Sequence, residues 1–191
     1  MVGVKRSCGL TIAICVVISN GCSTARQTEP QLSAPATIKD IMDSMVEPSA
    51  DFIFDSVAEI ADEHGISQKA PQTDEEWKEV RRRAVQLLEA PNLLTMPGRK
   101  VARPGERSEN PEVELQPQQI QTILDRDPTL FRTRARALQD AALAALQAID
   151  AKDPKALFNA ATTLDKACES CHLQYWYPND TRAQEAAKRN P

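Results

Sequence analysis

Residues 127–150 have the sequence DPTLFRTRARALQDAALAALQAID, which predicts a long amphipathic helix. Asp127 can cap this helix, and Pro128 suits its first position because no N–H is needed there. Apolar side chains then recur at alternating steps of four and three residues, at Phe131, Ala135, Leu138, Ala142, Ala145 and Ile149. Such a period is typical of the buried seam of a helix bundle. Residues 118–124 can add a helical turn or two before it.

The next helix is predicted by the same signals. Asp153 can cap it, Pro154 can occupy its first position, and Pro178 lies just past its expected end. Its inward seam again follows steps of four and three, through Leu157, Ala161, Leu164, Cys168, Cys171 and Tyr175. The two cysteines are therefore expected on the interior face of the last helix. The polar tail, residues 179–191, is expected to fray.

The first helix is predicted over about residues 37–64. Apolar residues recur there at steps near three and four, at Ile38, Met42, Met45, Phe52, Ile53, Val57 and Ile60. Pro48 should kink or divide this helix, because it lacks an N–H and crowds the preceding turn. Gly65 is the expected terminator.

The second helix is expected to start near Asp74, with Thr73 or Asp74 as its cap, and to stop at Pro91. Its apolar stripe comprises Trp77, Val80, Ala84, Leu87 and Leu88. A connection of unusual length follows, residues 91–117. Loops of this length are functional or disordered, and this one could fold over the edge of a cofactor.

Together these elements predict an all-α fold, an antiparallel four-helix bundle with a long loop between helices 2 and 3. Only 4% of the residues are aromatic, so the core must be filled by Ala and Leu or by a group that is not protein. The formal net charge of −4 argues against nucleic acid as a partner.

The amino terminus resembles an export signal. Lys5 and Arg6 supply a short positive region, and the stretch from Cys8 to Ile18 is almost entirely apolar but too short for an ordinary membrane span. We therefore expect residues 1–21 to be a signal peptide of the lipoprotein type. An uncleaved anchor helix is the alternative.

Cys22 follows small residues and precedes a serine, which resembles a bacterial lipoprotein processing site. Ser19 departs from that pattern, which prefers an aliphatic residue there. The expected product carries lipid on Cys22 and is held at a membrane in the periplasm; cleavage near Ala25 is the alternative. Residues 22–36 are predicted to be a flexible tether, because they are polar and have no apolar period.

After export and lipidation, only Cys168 and Cys171 remain as unmodified cysteines, and His172 follows at once. The resulting C-x-x-C-H motif is typical of covalent haem attachment. Residues three apart lie on one face of a helix, so both thiols can form thioethers with one haem while His172 binds the iron. The alternatives are a thioredoxin-type redox pair, half of a zinc site, or chance. The redox pair normally opens a helix after a strand, and zinc needs further ligands.

A C-x-x-C-H motif in the last helix of a four-helix bundle resembles the cytochrome c′ family. The resemblance covers residues 37–178, which we interpret as a four-helix haem-binding domain, and its specific motif is residues 168–172. A weaker similarity to exported cytochromes related to this family is the stretch IMDSMVEPSAD, residues 41–51. The long connection 91–117 departs from small cytochromes c′.

The resemblance implies one covalent haem c, with the first helix facing the side of the iron opposite His172. Low-spin members place a methionine there, which raises the reduction potential. Met42 is the expected sixth ligand, with Met45 as the alternative; either can instead be a packing residue. His64, the other histidine, is expected at the surface. Arg132, Arg134 or Arg136 could pair with haem propionates, and Trp77, Tyr175 or Trp176 could pack on the porphyrin edge.

The expected function is single-electron transfer with a redox partner protein. Nothing in the sequence indicates a catalytic dyad, an activated nucleophile or a phosphate loop, so we do not predict an enzyme. One alternative is a five-coordinate haem protein that binds small gases such as NO or CO. Another is a structural or assembly lipoprotein without haem. A homodimer is compatible with the family resemblance.

Overall fold

The computed structural model describes Gly3, residues 32–63 and residues 65–189. The chain divides into two units, Met1–Gln31 and Leu32–Pro191, and the elements below belong to the second. Its helices and strands are α1 (Ile38–Ile41), a π-helical turn (Met42–Val46), α2 (Glu47–Ser56), β1 (Ala58–Asp62), β2 (Gly65–Lys69), α3 (Asp74–Leu94), α4 (Pro117–Arg126), α5 (Pro128–Asp150), α6 (Pro154–Tyr175) and α7 (Thr181–Arg189). The predicted signal peptide lies outside the described residues, with the exception of Gly3. The predicted lipid site Cys22 and the histidine His64 also lie outside them.

The prediction of a mainly helical fold is confirmed, and the caps of α5 and α6 lie where they were expected. Asp127 accepts a hydrogen bond from the N–H of Leu130, and Asp153 accepts one from the N–H of Ala156. In each helix, proline occupies the first helical position. A polar cap that satisfies a free N–H, followed by a residue that has none, defines a helix start from sequence alone.

The first helical segment is shorter than predicted. It begins at a capping box between Thr37 and Asp40, passes through the π-helical turn immediately before Pro48, and ends at Ser56 instead of His64. The π-helical turn accommodates Pro48, because proline has no N–H to donate to a carbonyl of the preceding turn. Proline thus distorts the segment, as expected, without dividing it.

Residues 58–69 form a β-hairpin where the prediction had the end of a helix. β1 and β2 are antiparallel, and Asp62 pairs with Gly65 at the turn. Gly65 has a φ of +126°, so it supports a tight reversal instead of ending a helix. The prediction was wrong because it placed Ile60 on a buried helical stripe, whereas Ile60 is 47% exposed on the hairpin.

Two further boundaries differ from the predicted ones. Thr73 caps α3 as expected, but the helix continues through the buried Pro91 to Leu94. Pro91 therefore costs one backbone hydrogen bond without ending the helix. The tail also differs, because residues Thr181–Arg189 form a helix with no buried residue. The helical turns predicted before α5 are present as α4.

The main core cluster lies between α2, α3, α5 and α6. The most extensive helix contacts are between α3 and α5 and between α5 and α6, and α2 packs on α3 and more lightly on α6. The buried side chains are mostly Ala and Leu, as the composition predicts, and include Ala84, Leu87, Ala142, Ala145, Leu157 and Leu164, all at 0% exposure. None of the helices in the described ranges combines the length and the apolar character needed to cross a bilayer.

The long connection predicted over residues 91–117 is shorter in the structure, residues 95–116, and its backbone is hydrogen-bonded to the start of α1 and to the residue after α6. The N–H groups of Ile38 and Lys39 donate to the carbonyls of Lys100 and Val101, at 2.8 and 2.9 Å. Farther along the loop, the N–H of Leu115 donates to the carbonyl of Trp176 at 2.8 Å. The loop therefore joins the start of α1 to the residue just after α6.

Candidate functional site

The two cysteines lie near the carboxyl end of α6, where its buried seam reaches partly exposed positions. Leu157, Ala161 and Leu164 are buried, as predicted, and Cys168 and Cys171 continue the stripe with intermediate burial. Both thiols are free. Cys168 packs against the main core cluster. Cys171 packs against a second, small cluster formed by Val101, Leu124 and Tyr175.

The thiols are poor nucleophiles in this environment. Burial, with help from the negative charge of Asp165, raises the pKa of Cys168 to about 12. Burial likewise raises the pKa of Cys171 to about 11, against a lowering by Arg134. Catalytic C-x-x-C pairs need a lowered thiol pKa, because the thiolate is the reactive form. The environment therefore argues against the thioredoxin-type alternative.

His172 is held by its own helix and by the residues that follow it. Its backbone carbonyl accepts hydrogen bonds from the N–H groups of Trp176 and Tyr177, at 2.8 and 3.0 Å, which closes the last turn of α6. Its ring atom Nδ1 lies 3.2 Å from the hydroxyl of Tyr177. That hydroxyl donates to the carboxylate of Glu169 at 2.8 Å. One ring nitrogen of His172 is thus engaged by protein, whereas Nε2 makes no hydrogen bond within the described residues.

Two aromatic rings lie against the imidazole of His172. Trp176 meets it edge to face with ring centroids 5.0 Å apart, and the ring of Tyr177 is 5.5 Å away. Burial lowers the pKa of His172, against opposing contributions from Glu169 and Asp165. At neutral pH the ring is therefore in the uncharged form that a metal ion requires.

Two buried polar atoms beside Cys171 have no hydrogen-bond partner within the described part of the chain. They are Nε of Arg134 and the hydroxyl of Tyr175. The charge of Arg134 lowers the pKa of Cys171, and Cys171 in turn contributes to raising the pKa of Tyr175. Unsatisfied buried polar atoms are rare in proteins and call for an explanation. A polar ligand at this position is one explanation.

The other two arginines proposed for propionates differ from Arg134. Arg132 is exposed and donates to the hydroxyl of Thr129, and Arg136 is exposed and donates to the side chain of Gln139. Of the three, only Arg134 lies beside the motif. Arg134 follows Phe131 by about one turn of α5. Phe131 packs on Tyr175 of α6, with the two ring centroids 5.7 Å apart, so this part of α5 faces the end of α6 that carries the motif.

The methionines proposed as sixth ligands both lie in the π-helical turn. Met42 and Met45 are half-buried and pack against the main core cluster, to which Cys168 also belongs as a peripheral member. The structure therefore brings the two methionines and Cys168 to one core. The π-helical turn was not predicted; such turns are frequent at functional sites.

The aromatic residues proposed for the porphyrin edge are divided between the two ends of α6. Tyr175 and Trp176 lie beside the motif. Trp77 lies near the start of α3. Asp74, at the start of the same helix, forms an ion pair with Lys152 in the turn between α5 and α6, so Trp77 is near the amino end of α6. At 1.5 Å per residue, that end of α6 is roughly 20 Å from the cysteines. Trp77 is therefore an ordinary core residue.

Other cavities and clusters do not compete with this site. A cavity of about 550 Å³ lies in the long loop, beside Arg107 and Gln116, and no residue of the motif lines it. Within residues 32–63 and 65–189, no group of three or more His, Cys, Asp or Glu side chains is arranged to hold a metal ion.

Sequence reasoning missed Tyr177, Glu169 as its partner, and the loop residues Val101 and Leu115. Tyr177 is five residues after His172, beyond the helical spacing that places side chains on one face. Its position depends on the turn that closes α6, and no period in the sequence indicates that turn. A search of known protein-family models, a search of curated proteins and a search of solved structures each found no match to this chain.

Proposed function

We propose that this protein is a monohaem c-type cytochrome that transfers single electrons in the periplasm. The observation that carries the proposal is the arrangement at the end of α6. Two free thiols lie one helical turn apart, and the next residue is a histidine whose Nδ1 is engaged while Nε2 is left for iron. The unpaired polar atoms of Arg134 and Tyr175 beside Cys171 support a polar cofactor at the same place.

Attachment uses the chain's own thiols. Cys168 and Cys171 would hold a haem covalently: each S–H would add across one vinyl C=C, so that a C–S bond forms, the thiol hydrogen passes to the other vinyl carbon, and no atom is lost. His172 would bind the iron through Nε2, and Arg134 is the residue we assign to a haem carboxylate. When bound, the haem supplies an iron that alternates between the ferric and ferrous states.

The fold suits such a carrier. We propose that the segment α1–α2, α3, α5 and α6 make the antiparallel four-helix bundle expected from the sequence. Their successive contacts, α2 with α3, α3 with α5, and α5 with α6, support this arrangement, and α2 also touches α6. A core of Ala and Leu around the attachment helix gives an apolar, rigid surrounding, which limits reorganisation during electron transfer.

Met42 is our proposed sixth ligand, with Met45 as the alternative. Both lie in the π-helical turn, which widens the helix and displaces side chains from the ordinary 3.6-residue period. A thioether opposite His172 would favour the ferrous state and a low-spin iron. The ferric spectrum of Met42→Ala, compared with that of Met45→Ala, identifies the ligand, because only loss of the ligand changes the spin state.

Location and partners follow from the amino-terminal sequence. We propose that residues 1–21 direct export, that Cys22 carries lipid and that residues 22–36 tether the haem domain to a membrane surface. Electron exchange would then take place with redox partner proteins. The acidic balance does not suit nucleic acid. A homodimer remains part of this proposal only by analogy with the cytochrome c′ family.

The decisive experiment is the mass of the exported chain made with haem-attachment machinery. We expect the mature protein to carry the mass of one whole haem, which remains after denaturation. The variant Cys168→Ala/Cys171→Ala should lose it. Cys22→Ser is the matched control, since it should lose the lipid and keep the haem. A mature chain with only the mass of its amino acids and lipid would refute the proposal.

A gas-binding haem protein is the second candidate. It is favoured by the packing of both methionines against the main core cluster, which is what gap-filling residues would do. In that case, the site opposite His172 is open. Rapid binding of CO or NO to the wild type, unaffected by Met42→Ala and Met45→Ala, would replace electron transfer with this function.

A further inference from the structure

We propose that Tyr177 is a positioning residue for His172: its hydroxyl, held by Glu169, fixes the imidazole as the tautomer with its proton on Nδ1 and leaves Nε2 free to bind iron. The role in iron binding rests on the function proposed above, whereas the tautomer is a property of the chain itself. The inference is based on the contacts among His172, Tyr177 and Glu169 and on the turn that ends α6.

The direction of the hydrogen bonds follows from the available protons. An ionised carboxylate only accepts hydrogen bonds, so the Tyr177 hydroxyl gives its single proton to Glu169 at 2.8 Å. The same oxygen then faces Nδ1 of His172 at 3.2 Å with lone pairs alone. Nδ1 must therefore be the donor. Because a neutral imidazole has one N–H, Nε2 carries the lone pair.

The Tyr177 side chain keeps its hydroxyl proton at neutral pH. Burial raises its pKa, and the hydrogen bond to the neighbouring Glu169 carboxylate raises it further. A phenolate beside this carboxylate is therefore disfavoured at neutral pH, and the order of donors is maintained.

The backbone fixes this side-chain arrangement. The N–H of Tyr177 donates to the carbonyl of His172 at 3.0 Å, and its own carbonyl accepts from the N–H of Asp180 at 3.1 Å. Glu169 lies inside the C-x-x-C-H motif, on the turn of α6 before His172. The three groups are thus parts of a single helix end, and none depends on a distant contact.

The arrangement has consequences for a bound metal. A histidine ligand whose second ring N–H is held by an acceptor has a fixed tautomer and orientation and is a stronger electron donor. Stronger donation to iron favours the ferric state. Tyr177 should therefore lower the reduction potential relative to a chain that lacks its hydroxyl.

The first test uses the full chain without attached haem. Ring ¹⁵N chemical shifts distinguish the two histidine tautomers, and His64→Asn assigns the signals because the sequence has two histidines. We expect mostly the Nδ1–H form of His172 in the otherwise wild-type chain and mostly Nε2–H in Tyr177→Phe. Tyr175→Phe is the matched control, because it removes a hydroxyl without a hydrogen-bond partner and should leave the tautomer unchanged.

The second test uses the haem-loaded protein. Removing the hydroxyl in Tyr177→Phe should reduce the preference for ferric over ferrous iron up to about tenfold, an upward shift of as much as about 59 mV for one electron. If Tyr177→Phe does not fold, the tautomer of His172 in the chain with native Tyr177 still tests the inference. A predominant Nε2–H form there, or a potential that does not rise in a folded Tyr177→Phe, overturns the inference. Absence of covalent haem would instead refute the proposed function and leave the tautomer result intact.

Discussion

Trp176 lies edge to face against the ring of His172, with centroids 5.0 Å apart and planes at 89°. It is 40% exposed, so the indole contacts solvent as well as the imidazole. The carbonyl of Trp176 accepts from the N–H of Leu115, which anchors this residue to the long loop. The indole therefore contributes to the burial of the His172 ring.

Replacing Trp176 with alanine should raise the pKa of His172 in the haem-free chain towards the ordinary value of 6.5. Burial is the main cause of the lowered pKa, and the variant removes one of the two aromatic rings that pack on the imidazole. An NMR titration of the histidine ring measures the change. Trp77→Phe is the control, because Trp77 lies in the core away from the motif. An unchanged His172 pKa in Trp176→Ala would show that other groups exclude the water.

Ala145→Leu should destabilise the fold by about 1 to 3 kcal/mol. Ala145 is fully buried in the main core cluster, where α5 approaches its neighbours, and a larger side chain has no room there without displacing a helix. Urea unfolding measures the loss. Ala144→Leu makes the same chemical change one residue earlier at an exposed position and should alter stability by less than about 0.5 kcal/mol. Equal effects would mean that the seam is not tightly packed.

The long helices could be predicted because their signals are local. Asp127 and Asp153, each followed by proline, define two helix starts, and the four-and-three spacing then identifies the buried faces. Cys168 and Cys171 could be placed on α6 by the same spacing. Each of these inferences depends only on residues within a few helical turns of one another.

The misplaced boundaries depend on contacts that local patterns do not show. Val57 is buried in an extended conformation, so the chain leaves the helix there, although Ile60 continues the helical period. Pro91 is tolerated inside α3 because it is buried and the helix gains packing beyond it. Tyr177 reaches His172 only through the turn that ends α6. Tertiary packing decided all three positions.

The haem-free chain should lose stability as the pH rises above the ordinary thiol pKa of 9.0. Burial raises the pKa of Cys168 to about 12 and that of Cys171 to about 11, so the folded state keeps both thiols protonated while the unfolded state ionises them. Their contribution is fully present below pH 9.0 and is lost as the pH rises through 11 to 12. The slope should approach about 1.4 kcal/mol per pH unit for each thiol.

Urea unfolding at a series of pH values on both sides of 9.0 measures this slope. Cys168→Ala/Cys171→Ala is the control, because it removes both thiols and keeps every tyrosine and lysine of the chain. The double variant should have a shallower alkaline loss. Thioether formation should have the same effect in the haem-loaded protein, since a thioether cannot ionise. Parallel slopes with and without the thiols would contradict the prediction.

Arg134→Gln should lower the reduction potential of the haem-loaded protein. Ferric haem has one positive charge more than ferrous haem, so a nearby guanidinium disfavours the oxidised state, and its removal stabilises that state. The charge of Arg134 lowers the pKa of Cys171, so this charge acts at the proposed attachment site. At an effective dielectric constant of about 20, unit charges roughly 10 to 15 Å apart interact by about 1 to 2 kcal/mol. The expected decrease is therefore about 40 to 90 mV, before screening by salt.

Arg136→Gln is the matched control for this measurement. Arg136 belongs to the same helix and has the same charge, but it is exposed and its guanidinium donates to the side chain of Gln139 at 2.8 Å. Water and salt should screen it, so its replacement should change the potential much less. If both variants lowered the potential equally, the net charge of the helix would be responsible instead of the position of Arg134. If Arg134→Gln raised the potential, its guanidinium could not lie beside the iron site as we infer.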